Sequence, residues 1–119
     1  MLPRTVVRQI PQALIGGLAI LLVGYVTHGV FTYRAYTTAF AQTKQGEPLE
    51  TVLARFGPPS HIEPRYDSSG YAEGNRSVCS GPCWLRLWYE LPFTLGVSPV
   101  SVDFDARQRV IHKYEWNSP

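Results

Sequence analysis

WLRLWYEL, residues 84–91, sets Leu85, Leu87, Tyr89 and Leu91 against Trp84, Arg86, Trp88 and Glu90. Strand side chains alternate between faces, so this period of two reads as a half-buried strand. Both faces carry large apolar groups. One is expected to meet helices and the other to be partly covered by a neighbouring loop. Downstream, Pro99 opens a second strand in which Val100, Val102 and Phe104 face one way and Ser101, Asp103 and Asp105 the other. That pattern predicts one wet side. Asp105-Ala-Arg-Gln-Arg109 supplies a polar turn, after which Val110, His112, Tyr114 and Trp116 alternate with Ile111, Lys113 and Glu115 in a third strand. Together these make a three-stranded antiparallel meander.

Upstream, residues 60–83 read as a loop rich in Ser, Gly and Pro, with room for a short strand near His61 to Tyr66. Before it, Leu49, Val52, Leu53 and Phe56 recur at i, i+3, i+4 and i+7, the stripe of an amphipathic helix. Pro48 suits its first turn, and Gly57 followed by Pro58 and Pro59 stops it. Tyr33, Tyr36 and Phe40 share one face of an earlier helix that runs to about Gln42, with Gly46 as the break. The fold class is therefore α+β, with an ααβββ domain over residues 33–119 following an N-terminal segment, residues 1–32.

That segment contains ALIGGLAILLVGYVTHGVF, residues 13–31, which carries no formal charge while His28 is neutral. As a helix it spans roughly 28 Å, close to the hydrocarbon thickness of a bilayer. Pro11 marks the expected start, and Tyr25, Tyr33 and Tyr36 cluster toward the far end as interfacial residues do. The reading is a single transmembrane helix in contact with the lipid bilayer. A cleaved signal peptide competes, because Arg4 and Arg8 form a basic start and Ala39-Phe40-Ala41 has the form of a cleavage site. The apolar run is too long for that pattern, and Arg34 intervenes before Ala39. Arg4, Arg8 and the terminal amine precede the span while Arg34 and the more distant Lys44 follow it, a modest bias that favours a cytoplasmic N-terminus and a periplasmic domain at a bacterial inner membrane. Ala13, Gly17, Ile20, Gly24 and His28 fall on one side of the helix. This stripe admits a partner helix, or else reflects only the ordinary glycine content of membrane helices.

The remaining composition narrows the role. The chain has 119 residues, 17% of them charged, with a formal net charge of +2. One small domain plus an anchor fits that length, and enzymes of several domains do not. From Arg34 onward there are nine basic and nine acidic residues, so no basic footprint for nucleic acid exists.

The motif order GEPLETVLARFGPP (46–59), CWLRLWYE (83–90) and VSVDFDARQRVI (100–111) resembles the SmpA/OmlA, or BamE-like, domain of small bacterial envelope lipoproteins. The resemblance covers residues 46–116. It implies a non-enzymatic accessory that stabilises or organises a larger envelope assembly. A transmembrane helix stands here in place of the family's lipid-bearing cysteine, Gln108 stands at the family's turn glycine, and the segment of about residues 60–83 looks like an insertion.

Few residues suggest chemistry. Cys79 and Cys83 are spaced C-x3-C, outside any thioredoxin-like setting, and read as a structural disulfide on an oxidising side. A zinc site from these thiols with His61 and His112 lacks ligand spacing. Asp103 and Asp105 share a strand face, but Arg107, Arg109 or Lys113 would pair with them as solvated ions. No nucleophile motif occurs, so catalysis, a cofactor and a small-molecule substrate are not expected. Trp84, Trp88 and Trp116 make the sheet aromatic, as core filling or as anchors of a protein interface. The expected role is an accessory or scaffold subunit bound to an integral membrane protein or envelope complex. The alternative is a tethered binding module of immunity or inhibitor type.

Overall fold

A computed structural model describes residues 4–67, 78–94 and 98–116, with side chains from Gln12 onward. Its elements in chain order are α1 (Arg4–Gln42), α2 (Leu49–Phe56), β1 (His61–Pro64), β2 (Leu85–Tyr89), β3 (Val100–Phe104) and β4 (Val110–Glu115). The chain divides into two compact units at Phe31/Thr32.

The first unit is helical. α1 begins at Arg4, so Pro11 lies inside the helix instead of at its start. Residues from Gln12 are long and apolar enough to cross a membrane. Leu14, Ile15, Leu18, Leu21, Leu22 and Phe31 are all exposed, as a lipid-facing surface would be.

The second unit is an α+β domain whose sheet has four antiparallel strands in the order β1-β2-β3-β4. The meander is as the alternation predicts, but a fourth strand joins it at His61–Pro64, where the Ser/Gly/Pro-rich loop begins. The middle of the expected 60–83 loop lies outside the described residues. One face of the sheet meets α2 and the last turns of α1. Leu87, Tyr89, Val100, Val102, Phe104 and Val110 pack there with Ala39, Val52 and Phe56, and Tyr36, Phe40 and Leu49 flank them. The Phe56 and Tyr89 rings stack at 4.3 Å, and Tyr36 meets Tyr89 edge-on at 5.4 Å. Tyr33, placed on this face by its spacing, is exposed instead.

Backbone bonds tie the helices to β4. Gly46 N–H donates to the Val110 carbonyl and Val110 N–H to the Glu47 carbonyl, at 2.8 and 2.9 Å. Leu49 N–H, an orphan donor at the start of α2, reaches the Gln108 carbonyl at 2.8 Å. At the other end of α2 the Gly57 N–H donates to Leu53 with φ +84, a value that favours glycine. Lys113 Nζ donates to the Phe40 carbonyl near the end of α1, at 2.6 Å.

The β3–β4 turn explains a mismatch with the alternation. Asp105 Oδ1 accepts from the Arg107 and Arg109 N–H groups, and Gln108 takes φ +61, the left-handed region. Pairing then runs Phe104 with Val110 but Asp103 with His112, so Ile111 is an extra residue in a β-bulge. Val110 consequently lies on the core face, and His112, Tyr114 and Trp116 lie on the other. The sequence pattern had grouped all four.

Candidate functional site: the second face of the sheet

The face away from the helices is charged at its centre and aromatic at its margin. Register places Glu63 beside Arg86 and Arg86 beside Asp103 across β1, β2 and β3. All three side chains are buried. Arg86 Nε donates to Asp103 Oδ1 at 2.6 Å and Nη2 to Oδ2 at 3.2 Å, a fork-to-fork pair, while Nη1 donates to Glu63 Oε2 at 3.2 Å. Glu63 also accepts from Trp88 Nε1 at 3.1 Å and from the Cys79 N–H at 3.1 Å. Ser101 is buried as well and accepts from Trp116 Nε1 at 2.7 Å.

This arrangement overturns the expectation of a wet side on β3. Every residue from Val100 to Phe104 is buried. Asp103 pairs with Arg86 and not with Arg107, Arg109 or Lys113. Asp105 is used by the turn backbone. The physical reason is coverage. The segment carrying Cys79 lies over the Glu63 end, Trp116 packs on Trp88 at 5.4 Å, and a polar strand face excluded from water must pair its charges internally.

The candidate residues separate accordingly. Cys79 and Cys83 are joined, with Cα atoms 5.2 Å apart. Trp88 is 0% exposed, so it cannot serve as a surface anchor. Trp116 is half-buried. Trp84 is 50% exposed and stands apart, stacked on the Arg65 guanidinium at 4.3 Å. Arg65 also approaches the exposed Tyr66 ring at 4.8 Å and donates to its hydroxyl. On the apolar helix, Ala13, Gly17, Ile20, Gly24 and His28 are exposed, and a Cβ added at Gly17 or Gly24 would meet nothing within 4 Å. Among the described residues, His61 and His112 join no group of three or more His, Cys, Asp or Glu placed to hold a metal.

Two features escaped the sequence reading: the Glu63–Arg86–Asp103 cluster and the Arg65 stack. An arginine at the centre of an apolar strand was the available signal for the first. Glu63 lay in a segment read chiefly as loop, which hid its register with Arg86. The chain matches no known protein-family model, no curated protein and no solved structure.

Proposed function

We propose that the chain is a non-enzymatic single-pass membrane protein, an accessory or scaffold subunit of a larger bacterial envelope or membrane complex. The observation that carries this reading is α1. Its apolar stretch exposes a surface suited to lipid, and the same helix supplies Tyr36, Ala39 and Phe40 to the domain core. The resemblance of residues 46–116 to the SmpA/OmlA domain supports an organising role, here on a transmembrane anchor instead of a lipid. Arg4 and Arg8 both lie within ten residues of the span, whereas after it Arg34 is near and Lys44 more distant; this bias, together with the paired cysteines, favours a cytoplasmic N-terminus and a periplasmic domain.

Mild-detergent co-purification of the full chain from its native membrane, beside a Gly17→Leu/Gly24→Leu variant, tests the proposal. One stoichiometric membrane partner, held by the wild type and lost from the variant, is the expected result. A second reading has its own observation in the exposed Tyr66 and Trp84 rings, each beside the Arg65 guanidinium, a suitable anchor for a periplasmic binding module. If a partner survives the glycine substitutions and is lost with Trp84→Ala, the helix is only a tether and the binding-module reading replaces the first.

A further inference from the structure

β4 is an edge of the sheet, and only its first residue is used on the outer side, where Val110 exchanges backbone bonds with Gly46 and Glu47. Beyond the bulge the ladder fixes which groups face out. Trp116 N–H donates to the Pro99 carbonyl, and the Phe104 carbonyl accepts from Trp84 on the β2 side. Backbone groups of successive strand residues alternate between the two neighbours. Those of Ser101 and Asp103 therefore turn toward β4, those of His112, Tyr114 and Trp116 turn back toward β3, and Lys113 and Glu115 direct their N–H and carbonyl groups outward. Among the described residues no strand pairs with them. His112, Tyr114 and Glu115 are exposed and Lys113 is half-buried. An open ladder of this kind is a template for another strand.

We propose that β4 pairs antiparallel with β4 of a second copy of the chain, about a two-fold axis through Tyr114. The charges select both the partner and the register. Identical antiparallel strands are related by an axis normal to the sheet, which sets one residue opposite itself. Centred on Lys113, the axis would oppose two lysines; centred on Glu115, two glutamates. Centred on His112, it would drive the second strand into Gly46 and Glu47, which occupy the edge at Val110. Centred on Tyr114, it sets Lys113 of each copy opposite Glu115 of the other, and each such pair exchanges both of its N–H···O bonds. Lys113 Nζ donates to the Phe40 carbonyl and, as an ammonium, keeps donors for that carboxylate. On the second face of the sheet the two Tyr114 rings meet at a non-hydrogen-bonded position, where side chains approach most closely. His112 meets Trp116 there, extending the row His112–Tyr114–Trp116, whose ring centroids are 5.8 and 5.4 Å apart. The pairing uses only residues of the second compact unit and rests neither on the apolar helix nor on the accessory role proposed above. So short a strand pair is a small interface, and copies held in one membrane gain from the higher effective concentration.

Oxidative cross-linking of the full chain carrying Tyr114→Cys, reconstituted in lipid vesicles and read on non-reducing gels, tests the pairing. Cys79 and Cys83 are bonded to each other, so the introduced thiol is the one that reacts. Opposed residues at a non-hydrogen-bonded position have Cα atoms about 4.5 Å apart, within disulfide reach, and a rapidly formed covalent dimer is expected. His112→Cys, also at an exposed position, should cross-link far more slowly, because this register places the two copies of residue 112 several residues apart. Adding Glu115→Lys to Tyr114→Cys opposes lysine to lysine and should slow cross-linking about tenfold. Adding Lys113→Glu as well restores opposite charges and should recover the rate, which a misfolded domain would not do. Tyr114→Cys that reacts no faster than His112→Cys would overturn the pairing, as would a rate indifferent to Glu115→Lys, or one that stays low in the charge-reversed double variant although its urea midpoint matches the wild type. A dimer abolished by Gly17→Leu/Gly24→Leu and untouched by Glu115→Lys would assign association to the helix and overturn it as well.

Discussion

The two faces of the sheet are both buried at their centres and are held there by opposite means. The helix face is filled by Leu87, Tyr89, Val102 and Phe104, whose burial is favourable whatever their exact partners. The second face buries Glu63, Arg86 and Asp103, whose burial is tolerable only with the partners they have. The first face therefore specifies that the domain collapses, and the second specifies register. A one-residue slip of β2 against β3 would part Arg86 from Asp103 inside the protein.

Arg86→Leu breaks that comparison most sharply. It leaves two carboxylates buried without their guanidinium and is expected to cost about 3–5 kcal/mol, read as a shift in the urea midpoint followed by tryptophan emission in micelles. Phe104→Ala on the other face should cost a similar ~3–5 kcal/mol through loss of packing. The two losses differ in their remedy. Adding Glu63→Gln and Asp103→Leu to Arg86→Leu removes the uncompensated charge and should recover most of the loss, whereas no charge substitution restores the Phe104 cavity. A cost for Arg86→Leu below about 1 kcal/mol would mean that water already reaches the cluster.

A polar element on the helix face sharpens the contrast. Tyr89 donates its hydroxyl to the Gly57 carbonyl at 3.0 Å. Burial, and secondarily the nearby Tyr36, raise its pKa above the ordinary value of 10.0. Because the folded state holds the proton more tightly, this contribution is complete below pH 10 and declines as pH rises further. Tyr89→Phe should lose about 1 kcal/mol at neutral pH. It should also flatten the alkaline decline in stability, measured as urea midpoints from pH 9 upward. An equally steep decline in the variant would assign it to other groups.

The helix face was legible in the sequence because burial of apolar groups leaves a period. The i, i+3, i+4, i+7 stripe of α2 and the alternation of β2 and β3 place Val52, Phe56, Leu87, Val102 and Phe104 where they lie. The second face was not, because Ser101 and Asp103 look the same in sequence whether they face water or an arginine. Among the described residues, coverage by Trp116 and the Cys79 turn decides, and that coverage comes from distant segments. The bulge at Ile111 was hidden for a related reason, since an extra residue shifts the face of everything after it without changing the local pattern. Cys79 and Cys83 stood out in the sequence, but not the carboxylate beneath them.

The β3–β4 turn sets the register of that bulge, and it carries Gln108 at φ +61 where glycine would be free of strain. Gln108→Gly is expected to stabilise the domain by up to about 1 kcal/mol, offset in part by the greater freedom of glycine in the unfolded chain. Thermal midpoints of the two chains in the same detergent check this. A loss of stability would show that the glutamine side chain holds the turn by more than its backbone.

The smallest expected effect tests whether ion pairs in this domain matter by being buried or merely by being paired. Glu47 accepts from Arg55 Nη2 at 2.7 Å, from Nη1 at 3.2 Å and from the Lys44 N–H, but it is only partly covered. The Arg55 hydrogen bonds, followed by that of Lys44, hold its carboxyl below the ordinary value of 4.5. With the folded pKa lowered, the pair stabilises above the unfolded value and loses that contribution as pH falls through the folded one. Solvent screening limits its size, and Glu47→Gln should cost about 0.5 kcal/mol at pH 7, less in molar salt and progressively less as pH falls through the folded pKa. Arg86→Leu should keep most of its cost in molar salt, because mobile ions do not enter a buried cluster. If both variants respond to salt alike, the second face is wetter than its burial implies, and the distinction between the two faces narrows to one of composition.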